Sequence, residues 1–148
     1  MKLLKRTLLV LMMALIYYMS AQTGSESSGL SDIVVAYINK IYSCFGKLDY
    51  NTFHDLTVGF IREGAHFGEF MILGILIYIN MTDFFDDHVV WYSVLAGVTY
   101  AVSDEIHQYF VPNRVCDIFD IFMDSCGCIV GVIIVHLLIK KHGKRKNA

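Results

Sequence analysis

The sequence predicts an all-α integral membrane bundle of four transmembrane helices, with short interfacial helices after the first span. Three observations carry this. Hydrophobic residues make up 55% of the 148 positions and charged residues 18%, with a mean hydropathy of +0.51, too apolar for an ordinary soluble domain of this size. Four stretches approach the roughly 20 apolar residues that a hydrocarbon core of about 30 Å requires. Basic residues gather at the two ends, Lys2, Lys5 and Arg6 at one and Lys140, Lys141, Lys144, Arg145 and Lys146 at the other, although the net charge is only -2. Basic flanks of apolar spans report topology rather than nucleic-acid binding, so both termini are expected in the cytoplasm.

A single domain over residues 1–148 uses all the spans, expected at about 6–22, 64–81, 89–110 and 117–139, with an extracytoplasmic loop over about 23–62. The first span has the basic start of a secretory signal. Met19 stands where a small residue is wanted before a cut after Ala21, which favours a retained anchor. Residues 22–29, rich in Gly and Ser, read as an exposed loop. Val34, Tyr37, Ile38, Ile41, Tyr42 and Phe45 then recur at helical spacing opposite Asp32, Asn39 and Lys40, predicting a helix in the outer interface. Thr52 with Asp55 suggests the start of a second short helix that leads through Phe53, Leu56 and Phe60 into the next span. Asp83, Asp86 and Asp87 fill the inner loop without Lys or Arg, but acidic residues weigh little in topology. Pro112 and Asn113 mark the outer turn between spans three and four.

Gly64, Gly68, Gly74, Gly127 and Gly131 are expected at close-packing positions, the last two forming a small-xxx-small face. Cys44, Cys116, Cys126 and Cys128 lack zinc-site spacing and read mainly as small apolar fillers. Cys44 and Cys116 both fall outside in this topology, where a disulfide is chemically allowed.

A charge near the middle of a membrane helix costs on the order of 2.5 to 3.5 kcal/mol, so ionisable residues within spans mark candidate sites. Here they crowd the outer ends: Arg62, Glu63, His66 and Glu69 in span two, Asp104, Glu105, His107 and Gln108 in span three, Arg114, Asp117, Asp120 and Asp124 around span four. If Arg62, Val111 and Asp117 mark the outer interface, His66, Gln108 and Asp120 lie roughly 5 Å below it. Glu69, Asp104 or Glu105, and Asp124 then lie roughly 10 Å below it. Spacings of three and four place Arg62, His66 and Glu69 on one face, Asp117, Asp120 and Asp124 on another, and Asp104 with Gln108 on a third. Asp104 and Glu105 diverge by about 100°, so one faces this space squarely and the other borders it.

The inner halves, residues 72–81, 89–102 and 128–139, hold no Asp, Glu, Lys or Arg. A polar cleft open to the outside and closed below is the expectation, which lowers a transport reading. Seven carboxylates against Arg62 and Arg114 leave five negative charges. Either some carboxyls are protonated or a divalent cation sits among them, with His66 and Glu69 able to supply ligands. Bland readings stand beside these: Arg62 and Arg114 as interface anchors, Asp117 as a helix cap, His107 as a bundle histidine, and the deep carboxyls as a hydrogen-bond network between helices.

The run 62–70 (REGAHFGEF), the run 103–114 (SDEIHQYFVPNR) and the run 117–127 (DIFDIFMDSCG) with Gly131 resemble the VanZ-like family of bacterial membrane proteins. The run 20–24 (SAQTG) and the run 28–31 (SGLS) are similar to that family's pattern too, so the resemblance covers nearly the whole chain. The family usually has Lys where Glu63 stands and Tyr where Phe70 stands. The resemblance implies a bacterial cytoplasmic membrane and a link to low-level resistance to teicoplanin, a glycopeptide with an acyl tail. It implies no defined reaction.

Together these readings give an outward cleft of Arg62, His66, Glu69, Asp104, Glu105, Gln108, Arg114, Asp117, Asp120 and Asp124. It would bind or shield an amphiphile of the outer leaflet: membrane lipid, a lipid-linked cell-wall precursor or a lipoglycopeptide. The rival is a membrane-embedded enzyme acting on such a precursor. Glu69, Glu105 or Asp124 would be its general acid or base, His66 would assist, and Arg62 or Arg114 would hold a phosphate. No serine elbow or other nucleophile motif is present, so that chemistry is proton transfer or metal-assisted hydrolysis.

Overall fold

The computed structural model describes residues 2–23, 29, 33–38, 40, 50–114 and 116–146, with only the backbone given for 50–57, 59 and 143–146. Among the described residues there are four long helices: α1 (Lys2–Ser20), α2 (Tyr50–Met81), α3 (Val89–Tyr109) and α4 (Ile118–Lys146).

In α1 the buried residues Met12, Ile16 and Ser20 recur every fourth position, while Leu4, Leu8, Leu11, Leu15 and Tyr18 are exposed. One narrow stripe therefore meets the bundle, and the rest is an apolar surface of the kind that lipid, not water, solvates. Residues 33–38 are helical. Val34 and Tyr37 of the expected apolar stripe are exposed, and Val35, beside that stripe, is buried. Ile41, Tyr42 and Phe45 lie outside the described residues, as does Cys44.

The expected short helix before span two is not separate. The backbone runs unbroken from Tyr50 to Met81, about 48 Å at 1.5 Å per residue. No Pro falls in this stretch, and glycines alone do not break a helix whose backbone is otherwise bonded. α3 ends at Tyr109 with Phe110 as its C-cap, and Asn113 turns the chain with φ 60°, the left-handed geometry that Asn tolerates.

Among the described residues three helices are long and apolar enough to cross a membrane: α1, Phe60–Met81 within α2, and Ile118–His142 within α4. The all-α membrane-type architecture thus stands, with three of the four expected spans apolar enough to cross among the described residues. α3 is comparable in length, about 31 Å, but Trp91, Tyr92, Tyr100, Asp104, Glu105, His107 and Gln108 lower its apolarity. Its polar residues Ser93, Asp104, Glu105 and Gln108 are buried against the other helices.

Side-chain pairings fix the directions. Tyr100 donates to the Met13 carbonyl at 2.8 Å and Ser20 to Asp104 at 2.7 Å, so α1 and α3 run parallel. Asn80 donates to the Lys5 carbonyl at 3.2 Å, so α2 runs against α1. α2 and α4 are parallel and meet backbone to backbone. A Cβ on Gly127 would strike the Phe67 carbonyl, one on Gly131 the Met71 carbonyl, and one on Gly74 the Cys128 carbonyl. The close-packing expectation holds at those three positions, and the small-xxx-small face at Gly127 and Gly131. Close packing fails at Gly64 and Gly68, which meet nothing within 4 Å. Apolar clusters fill the centre: Met12, Ile16, Phe70, Leu73, Ile77 and Ala101, then Tyr78, Val89, Cys128, Val132 and Val135. At the α1 N-terminal end, Lys5 pairs with Asp83 at 3.2 Å, giving the acidic α2–α3 loop the basic partner its own sequence lacks.

Candidate functional site

This topology brings the C-terminal ends of α1 and α3, the 62–69 segment of α2 and the first turns of α4 to one end of the bundle. Asp104 lies at its centre, 4% exposed. Its Oδ2 accepts from the Ser20 hydroxyl at 2.7 Å and from Gln108 Nε2 at 3.1 Å. Gln108 Oε1 accepts from Arg114 Nη1 at 3.3 Å, and Arg114 Nε donates to the Gln22 carbonyl at 3.3 Å. This chain of bonds ties the end of α1 to the α3–α4 loop through a buried carboxyl and amide. Half-burial lowers the Arg114 pKa, as does nearby Arg62, while Asp104, Asp120 and Glu105 oppose them; the guanidinium stays protonated.

Glu105, the neighbour of Asp104, is 1% exposed and turns the other way. Its Oε1 accepts from the backbone N–H of Asp117 at 2.6 Å, so an acidic side chain of α3 sits at the positive N-terminal end of α4. Asp117 Oδ1 accepts from the Phe119 N–H at 2.9 Å, an N-cap. The divergence of Asp104 and Glu105 is observed, but both are buried, one toward α1 and one toward α4.

Asp124 is 2% exposed. Among the described residues its Oδ1 has no hydrogen-bond partner, nor do Glu105 Oε2 and Ser125 Oγ. His66, Glu69, Glu105, Arg114 and Asp124 all lie within electrostatic range of Asp104. His66 Nδ1 stands 3.8 Å from Glu69 Oε2, too long for a hydrogen bond. Arg62 and Asp120 stand at the rim. Arg62 is largely exposed and pairs with its neighbour Glu63 at 3.2 Å, and Asp117 is exposed apart from its capping bond.

No three His, Cys, Asp or Glu side chains among the described residues are arranged to hold a metal ion. Cys116, Cys126 and Cys128 are free thiols. His107 stacks on Tyr17 with ring centroids 4.4 Å apart, so its packing role is the one observed. Phe70 is fully buried against Tyr100, ring centroids 6.1 Å apart.

Ser20 is the residue that spacing arguments missed. It is a lone hydroxyl at the end of an apolar run, and only its level, matching Asp104 and Gln108 on a parallel helix, could have marked it. The Gln22 carbonyl was not legible at all, since any backbone carbonyl there can accept.

No match to the chain was found among curated proteins or among solved structures. The model of the VanZ/LLP1 family matches residues 7–139, from the first turns of α1 to the last apolar residues of α4, and thus spans every helix that supplies the polar end. This chain of membrane-type helices belongs to the VanZ/LLP1 family.

Proposed function

We propose that the polar end is an outward-facing cleft that binds or shields an amphiphile of the outer leaflet, and that all four long helices cross a bacterial cytoplasmic membrane with both termini inside. The observation that supports this is the pair of acceptor oxygens without a hydrogen-bond partner among the described residues, Glu105 Oε2 and Asp124 Oδ1, on carboxyls at least 98% buried. A purely structural network pairs its buried acceptors; one that awaits a ligand leaves some open. A headgroup carrying hydroxyl or ammonium donors meets that need, while the adjoining apolar surfaces suit an acyl or polyprenyl tail. Lipid-linked cell-wall precursors and lipoglycopeptides both have this form, which agrees with the teicoplanin phenotype that the family resemblance implies.

The test is expression in a sensitive Gram-positive host. Susceptibility to teicoplanin should fall several-fold while susceptibility to vancomycin, which lacks the acyl tail, stays put; equal effects on both would remove the tail from the account. In a cysteine-free background, Ser27→Cys should react with an impermeant maleimide in intact cells and Lys146→Cys should not. The reverse pattern inverts the orientation.

A second reading, a membrane-embedded enzyme acting on a lipid-linked precursor, draws on His66 lying beside Glu69 in the same group as Arg114. The surplus of carboxylates repels phosphate unless a cation bridges it. The enzyme reading therefore expects activity that chelation abolishes.

A further inference from the structure

At the opposite end of the bundle, Asn80 is 5% exposed. Its Nδ2 donates to the Leu76 carbonyl at 2.8 Å and to the Lys5 carbonyl at 3.2 Å, which fixes the amide's orientation. Its Oδ1 is buried and has no partner among the described residues. Asn80 lines a groove of about 530 Å³ between α1, α2 and α3 whose walls include Leu9, Met13, Leu73, Ile77 and Ala96. The hydroxyls bordering it are already committed: Thr99 to the Leu95 carbonyl at 2.8 Å, Ser103 to the Tyr100 carbonyl at 2.7 Å and Tyr100 to the Met13 carbonyl at 2.8 Å. The groove therefore presents hydrocarbon along its length and one open acceptor near its end.

Arg6 lines the same end. Its guanidinium lies 5.3 Å from the centroid of the Phe84 ring, and among the described residues it has no carboxylate partner, Asp83 being taken by Lys5. Lys2, Arg6, Leu9 and Met13 follow one another at spacings of four, three and four, so one face of α1 carries a basic head above an apolar strip.

We infer that this groove binds an anionic phospholipid with a hydroxylated headgroup, of the phosphatidylglycerol kind. One acyl chain lies along α1, the phosphate meets Arg6, and a headgroup hydroxyl donates to Asn80 Oδ1. Charge complementarity selects the phosphate's uncompensated charge, and the open acceptor selects a hydroxyl donor, which phosphatidylcholine lacks. The site is independent of the carboxyl end and stands or falls without it.

Delipidated full-length protein in detergent, offered equal phosphatidylglycerol and phosphatidylcholine with identical acyl chains, tests this by native mass spectrometry. One-lipid adducts should favour phosphatidylglycerol about fivefold, the effect of one basic contact near the surface. Arg6→Gln, an exposed change, should lower the ratio several-fold to what the Asn80 acceptor alone confers, and Ala96→Trp, which fills the groove, should reduce both adducts. Equal retention by the unaltered protein, or a preference undiminished by Arg6→Gln, overturns the inference. Should Ala96→Trp fail to fold, the Arg6→Gln ratio alone decides.

Discussion

Where α1 ends, the helices meet through buried carboxyl, amide and hydroxyl groups; along the seam of α2 and α4, they meet through bare backbone at Gly74, Gly127 and Gly131. Both regions are tightly buried, yet among the described residues the first also holds carboxyl oxygens without partners, Glu105 Oε2 and Asp124 Oδ1. Membrane helices lack a hydrophobic drive to associate, and close packing supplies it. The glycine seam joins only α2 to α4, and carboxyls join α1 to α3 and α3 to α4; it is the two buried oxygens without a partner among the described residues, Glu105 Oε2 and Asp124 Oδ1, that ask for another use.

The largest expected effect comes from the seam. Gly131→Ala drives a Cβ into the Met71 carbonyl, a backbone group that cannot swing away, and should cost about 1–3 kcal/mol, read as a lower thermal midpoint in detergent. Smaller losses belong to single bonds at the polar end. Ser20→Ala, which removes one of two donors to Asp104 Oδ2, should cost about 0.6–1.7 kcal/mol, and Asp117→Ala, which uncaps α4, about 1 kcal/mol. Smallest is Gly68→Ala, where the new methyl meets nothing and the midpoint should move by less than about 0.5 kcal/mol's worth. If Gly68→Ala hurts as much as Gly131→Ala, the distinction between seam and open glycines is wrong.

That pair of glycines also shows what sequence could carry. Small residues four apart were visible at Gly64 and Gly68 as clearly as at Gly127 and Gly131, but which face a helix turns to its neighbour is set by all its contacts together. The shared face of Asp104 and Gln108, bonded at 3.1 Å, followed from helical spacing alone, because that period is fixed by backbone geometry. Contacts that depend on a turn did not. The bond from the Asp117 N–H to Glu105 and the clip from Arg114 to the Gln22 carbonyl both require the path of the loop around Pro112 and Asn113. The continuity of α2 through residues 50–63 was hidden for another reason: polar and apolar residues alternate there without a strong stripe, and the absence of Pro is weaker evidence for a helix than its presence is against one.

The central claim is that the buried carboxyls serve a ligand and not merely the fold. Glu69→Gln, Glu105→Gln and Asp124→Asn keep shape and most hydrogen-bonding capacity while removing charge. Each variant should be measured twice, for abundance in the membrane and for the shift in teicoplanin susceptibility. The account predicts that at least one of them, Asp124→Asn or Glu105→Gln foremost, accumulates at a normal level and loses the phenotype. Three variants of normal abundance with the phenotype intact would contradict it and leave the carboxyls as a structural network between the helices.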